Sequence, residues 1–153
     1  ADFRQVLRRM SVKTSARNQF AGPVVAIKRG VVDCEVTIQL APQLALTAII
    51  TCESAESMGL AVGREVLAFV KASSIILMVG DAARVSARNR FTGTVASIHE
   101  GPVSSEVTLD LPGGRHVMTA VITEASVRRL GLAVGQSATA VFKASSVFLV
   151  ATE

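Results

Sequence analysis

The sequence predicts an all-β protein made of two small barrels in tandem, each carrying one short helix, and three observations predict it. The chain repeats itself: SARNQFAGPVVAIKRG at 15–30 returns as SARNRFTGTVASIHEG at 86–101, and GLAVGREVLAFVKASSIILMV at 59–79 returns as GLAVGQSATAVFKASSVFLV at 131–150. Self-similarity at a fixed offset is the mark of a duplicated structural unit. Each copy also divides into five short runs rich in Val, Ile, Leu and Thr, punctuated by Gly, Pro, Asp or Ser, which is strand patterning. Finally, half of the 153 residues are hydrophobic, yet no apolar run approaches the roughly 18 residues that span a bilayer. Five short strands per copy suit a closed or nearly closed barrel of the OB type. Each copy, at about 65 residues, lies near the lower limit for independent stability, so pairing of the copies and oligomerisation are expected.

The elements follow in order. Residues 1–13 place Phe3, Val6, Leu7 and Met10 at i, i+3, i+4 and i+7 with arginines between them, an amphipathic helix without a counterpart in either repeat. It is expected to be the end of a longer helix joining an upstream domain. The first repeat occupies 14–80, with strands at Phe20–Lys28, Glu35–Leu40, Leu44–Thr51, Glu65–Lys71 and Ile75–Val79. The second occupies 81–153, with strands at Phe91–His99, Glu106–Leu111, His116–Thr123, Ala138–Lys143 and Val147–Val150. The segment 80–85, GDAARV, links them. An offset of 71 aligns the first block and one of 72 the second, so one residue was gained or lost around the Ala41–Ala45 loop.

One helix per copy interrupts the strands. Thr51 or Ser54 caps it, Glu53 and Glu56 complement its positive end, and Gly59 closes it in a left-handed conformation. Thr123, Glu124, Ser126 and Gly131 repeat that layout, and Gly63 and Gly135 mark the turn into the next strand.

The formal charge of +4 dissolves when divided along the chain. Residues 1–13 hold Arg4, Arg8, Arg9 and Lys13 against Asp2, which leaves 12 basic and 11 acidic groups for everything else. With no Trp or Tyr and six Phe, the chain also lacks the stacking platform and basic groove of a single-strand nucleic-acid binder. Cys34 and Cys52 correspond to Ser105 and Glu124 in the other copy, and His99 and His116 to Lys28 and Ala45. A duplicated metal or redox centre would not lose its ligands in one copy, so the cysteines read as free structural thiols in a reducing compartment.

What stays letter for letter is polar and lies at element ends. Ser15 and Arg17 precede the first strand, Thr51 and Ser54 start the helix, and Lys71, Ala72 and Ser73 join two strands. The second copy matches them with Ser86 and Arg88, Thr123 and Ser126, and Lys143, Ala144 and Ser145. Alone, each has a bland reading: a Thr before a helix is a cap, a Lys at a strand end snorkels, an Arg pairs on the surface, and Asn18 is a turn residue. Together, twice, they supply a guanidinium, an ammonium, hydroxyls and element-end amides with no carboxylate among them, which is the donor set of a receptor for a small oxyanion. Catalysis would call for a His or a carboxylate in the repeated motifs, and neither is there, so the chain is not read as an enzyme.

The run TSARNQF-x-G and the distal KAS, in register twice, resemble the Mop or TOBE-type molybdate-binding domains of molbindins and of ModE-type molybdenum-responsive regulators. The resemblance covers Lys13 to Val150. It implies an OB-like barrel per repeat and binding of molybdate or tungstate, without an organic cofactor, at subunit interfaces. It also assigns the contacts to Ser15, Arg17, Thr51, Ser54, Lys71 and Ser73 and to Ser86, Arg88, Thr123, Ser126, Lys143 and Ser145. In such regulators the second SARN can be lost, whereas here both remain. The segment LRRMSVKTSARNQ looks like the junction to a regulator's winged-helix domain. The expectation is therefore a cytoplasmic effector domain, a homodimer that reaches DNA only through a domain absent from this chain and has no membrane association. A molbindin-like storage protein, trimeric or hexameric, is the alternative.

Overall fold

The computed structural model describes residues 14–80 and 84–151. The N-terminal helix expected over 1–13 and the middle of the 80–85 linker lie outside the described residues. Ten strands form two five-stranded antiparallel sheets. In chain order they are β1 (Asn18–Arg29), β2 (Asp33–Ala41), β3 (Leu44–Thr51), helix α1 (Cys52–Ser57), β4 (Glu65–Val70), a 3₁₀ turn at Ala72–Ser74, and β5 (Ile76–Met78). The second copy gives β6 (Asn89–Glu100), β7 (Ser104–Asp110), β8 (Val117–Thr123), α2 (Glu124–Leu130), β9 (Ser137–Phe142), a 3₁₀ turn at Ala144–Ser146, and β10 (Val147–Ala151). All ten expected strands are present, and the single-residue length difference falls in the β2–β3 hairpin. There Gln39 faces Ala45 across five residues, where Asp110 faces Val117 across six.

The first strand of each copy does the work of two. β1 pairs with β4 over Asn18–Pro23 and with β2 over Val24–Arg29, with a bulge between Val24 and Ala26 where it changes partner. β6 repeats this, with its bulge between Val95 and Ser97. Bulges concentrate bend and twist at one point, which lets a 12-residue strand curl around a small core. The curl brings the outer strands β10 and β3 of one sheet into contact, and likewise β5 and β8 of the other, giving the OB-like half-barrel. Close to each bend stands a glycine of the repeated F-x-G motif. A Cβ on Gly22 would overlap the Gln39 carbonyl oxygen, and one on Gly93 would overlap that of Asp110.

The packing units do not coincide with the repeats at 14–80 and 81–153. Among the described residues one unit comprises 14–70 and 144–151, the other 71–80 and 84–143. Its edge strands explain why: β10 of the second repeat pairs with β4 of the first, Phe148 opposite Phe69, while β5 pairs with β9, Ile76 opposite Val141. The 3₁₀ turn after β4 carries the chain away from that strand instead of folding it back as a hairpin. Because KASSIILMV and KASSVFLV are nearly the same sequence, either edge strand fits either sheet, and exchange costs little.

Inside each half-barrel the equivalent positions are apolar and fully covered. Phe20, Val24, Val36, Ile38, Leu46, Ala48 and Val66 fill the first, and Phe91, Val95, Val107, Leu109, Met118, Ala120 and Ala138 the second. Phe142 replaces Val70 and meets Phe91 edge to face at 5.4 Å.

Candidate functional site

The repeated polar residues sit where strands begin and end, and the ladders fix their neighbours. Asn18 opens β1 opposite Val70, the residue before Lys71, and Asn89 opens β6 opposite Phe142, the residue before Lys143. Both asparagines are 2% exposed. Asn18 donates from Nδ2 to the Val70 carbonyl at 3.2 Å, so it is a buried clamp within the sheet and not the turn residue read from sequence. The burial of a polar group with its partner satisfied fixes the strand start. In the second unit this register sets Arg88 beside Lys143, with Ser86 two residues further back along the chain. All three are exposed, as are Ser15, Arg17 and Lys71.

The helix starts are built identically. Thr51 caps α1: its Oγ1 accepts from the Ser54 amide at 3.0 Å and donates to Ser54 Oγ at 2.8 Å. Thr123 caps α2, accepting from the Ser126 amide at 3.1 Å, with the two hydroxyl oxygens 2.7 Å apart. In copy one the threonine's donor capacity is thus spent locally, and Ser54 keeps its own hydroxyl hydrogen for an outside acceptor. Gly131 closes α2 with φ 63°, as anticipated, whereas α1 closes on Met58 with Gly59, φ 64°, just beyond.

Strand exchange regroups the expected sets. In the second unit the turn Ala72–Ser74 packs on β8, the strand that ends at Thr123. Lys71, Ala72 and Ser73 therefore belong to the same unit as Thr123, Ser126, Ser86, Arg88 and Lys143. In the first unit Ala144 and Ser145 pack through their turn on β3, which ends at Thr51, and share that unit with Ser54, Ser15 and Arg17. Each unit's turn is thus supplied by the other repeat. Within the second unit the donors form two sets, one where β6 starts against the end of β9 and one where β8 runs into α2.

Sequence reasoning missed the walls of this second set. A pocket of about 280 Å³ is lined by Ile75, Ile76, Leu77, Ile122 and Leu130, with Thr123, Ser126 and Arg129 as its polar members. Only the exchanged position of β5 brings Ile75 and Ile76 there, which no local pattern announces. The buried asparagines did carry a signal, since they are identical within SARN in both copies.

The electrostatics differ between the helix starts. Glu124 follows Thr123 directly, and Arg128, one turn on, donates to it from Nε at 2.8 Å and from Nη2 at 2.5 Å. The hydrogen bond from Arg128 holds the Glu124 carboxyl below its usual range and raises the guanidinium in turn. The pair leaves the α2 start close to neutral. In copy one Cys52 stands in that position, and its sulfur touches that of Cys34.

Comparisons with known proteins bear on the family and the fold. The model of the TOBE domain family matches residues 14–77 and 85–149, the two sequence repeats. The chain is 51% identical over 147 residues to the molybdenum transport protein ModE of Azotobacter vinelandii, covering 96% of this chain and 54% of that protein. It is 48% identical over 141 residues to the molybdenum-pterin-binding protein MopA of Rhodobacter capsulatus, covering 92% and 53%. The chain thus spans about half the length of the curated relatives it matches. The crystal structure of the cytoplasmic molybdate-binding protein ModG with molybdate bound superposes with a TM-score of 0.88 at 48% identity, covering 92% of this chain and 100% of that one. Matched twice in succession over most of its length, the chain belongs to the TOBE domain family, with one domain per repeat.

Proposed function

We propose that the chain is a non-catalytic oxyanion receptor that binds molybdate or tungstate through Ser15, Arg17, Thr51, Ser54, Ala144 and Ser145 in one unit and Lys71, Ala72, Ser73, Ser86, Arg88, Thr123, Ser126 and Lys143 in the other. The observation that carries this is the recurrence of one donor set, free of acids in its conserved letters, at matched element ends of two domains that differ freely elsewhere. Similarity along the whole length of molybdate-binding ModG supports the choice of ion. The positive donors are exposed in a single chain, and exposed charges are screened and worth little. High affinity therefore requires a second copy to close over them.

The exposed apolar residues support such an assembly. Val32 and Val103, Val62 and Val134, and Ile76 and Phe148 are equivalent pairs, each 64–78% exposed in both copies. Once enclosed, charge-assisted hydrogen bonds of about 1.5–3 kcal/mol each offset desolvation. Sulfate carries the same charge, so discrimination rests on pocket size, and phosphate, protonated near neutrality, brings a donor to a site made of donors. The relatives named ModE are nearly twice as long, which favours the effector domain of a cytoplasmic regulator, a homodimer whose DNA contacts lie outside this chain. Full coverage of ModG favours the second reading, a storage protein of higher order.

The test is calorimetric titration of the ion-stripped protein with molybdate, tungstate and sulfate, with native mass spectrometry for stoichiometry. Arg88→Ala and Lys143→Ala should each weaken molybdate at least about tenfold, roughly 1.4 kcal/mol, while leaving the fold intact. Unchanged affinity in both variants, or equal binding of sulfate, would overturn the assignment. A dimer holding about two ions fits a regulator's domain, and a trimer or hexamer holding more fits storage.

A further inference from the structure

The two cysteines of the chain, Cys34 and Cys52, are 18 residues apart in sequence and in contact in space. Cys34 is fully buried on β2, and Cys52 is the half-exposed first residue of α1. Their sulfurs lie 2.9 Å apart. The backbone holds them there from both sides: Asp33 pairs with Thr51, Cys34 pairs with Ile50, and the Cys52 amide donates to the Val32 carbonyl at 2.8 Å. The thiols are therefore diagonal neighbours on one face at the end of the ladder. A disulfide needs its sulfurs at about 2.05 Å, so closure asks for about 0.9 Å of combined movement. The hydrogen bond with Cys34 is the main cause that raises the Cys52 thiol above its ordinary range, with burial adding to it.

We propose that Cys34 and Cys52 are a modification site that closes to a reversible intramolecular disulfide when the protein meets a hydroperoxide. The half-exposed Cys52 gives up its proton and its sulfur attacks the terminal peroxide oxygen. The O–O bond breaks, an alcohol or water leaves, and Cys52 becomes a sulfenic acid. The Cys34 sulfur then displaces that hydroxyl, the S–S bond forms, and the Cys34 proton leaves in the released water. Two thiols lose two hydrogens and two electrons, and the peroxide is reduced to an alcohol (or water) and water. The bond ties β2 to the first residue of α1, beside the Thr51 cap. The second domain carries Ser105 and Glu124 at these positions and cannot follow.

The test treats the full chain with hydrogen peroxide, blocks remaining thiols with an alkylating agent and maps peptides by mass spectrometry without reduction. The expected result is a Cys34–Cys52 linked peptide pair about 2 Da lighter than the dithiol, reversed by dithiothreitol and absent from Cys34→Ser. Both cysteines alkylated as fully as in the untreated protein would overturn the proposal. So would links only between molecules, or Cys52 oxidised to the sulfinic acid with Cys34 still a thiol.

Discussion

The outward face of β4 and that of β9 occupy the same place in the two domains and are chemically opposite. In the first unit Ala21, Leu67 and Phe69 form a buried cluster with Ala16 and Val150 packed on it, and Phe148 stacks on Phe69 at 6.4 Å. In the second, Thr92 and Thr139 stand where Ala21 and Leu67 do, exposed to half-buried, and their hydroxyls hydrogen-bond at 2.9 Å. The helix starts diverge likewise, a thiol pair in one copy and a Glu–Arg pair in the other. The β1–β4 and β6–β9 pairs keep the same register in both sheets. The half-barrel thus accepts apolar or polar exteriors, so the fold alone does not require the letter-for-letter repetition of SAR and KAS, whereas Thr-x-x-Ser is held by its capping role as well. That repetition is the support for the proposed shared ligand.

Perturbing equivalent positions sharpens this contrast. The largest effect belongs to what the domains share: Gly22→Ala and Gly93→Ala each force a Cβ into a neighbouring carbonyl oxygen, and each should cost about 3 kcal/mol in urea unfolding. A result near zero in either would show that the strand crossing relaxes. Next comes the outer face, where Leu67→Ala should cost about 3 kcal/mol and Thr139→Ala less than about 1 kcal/mol. Equal costs would erase the distinction. Removing the caps with Thr51→Ala or Thr123→Ala should cost about 1 kcal/mol each, read by the same unfolding assay. The smallest effect is confined to α2. Because Arg128 lowers the folded-state Glu124 pKa from 4.5, its contribution is complete above that pH and is lost as pH falls through the lowered value. Glu124→Gln should lower stability slightly at neutrality and flatten the profile below pH 4.5, where the two proteins converge.

Much of the architecture was legible in the sequence because it rests on local chemistry. Strands announce themselves through Val and Ile runs, the hairpin through its length change, and the helix starts through Thr-x-x-Ser. The pairing of β5 with β9 and of β10 with β4 was not legible, since the competing hairpin would satisfy the same side chains in nearly the same register. The site suffered accordingly. Each candidate donor lies at an element end, as its place in the sequence announces, but which donors share a unit was not legible, because the turns at Ala72 and Ala144 travel with the edge strands. At Asn18 the polarity of the side chain suggests a turn in sequence, whereas the β1–β4 ladder buries it.

The exchanged edge strands also impose an order on biosynthesis. The second unit is one uninterrupted stretch, 71–143, set between two parts of the first. On a chain made from its N-terminus, β5 is already waiting when β9 emerges, and that unit can close at once. The domain begun earlier is finished later, holding the unpaired edge of β4 until β10, 147–151, leaves the ribosome. An exposed sheet edge invites pairing with other chains. The interval between residue 70 and residue 147 is therefore the window in which a nascent copy is most open to capture by its neighbour.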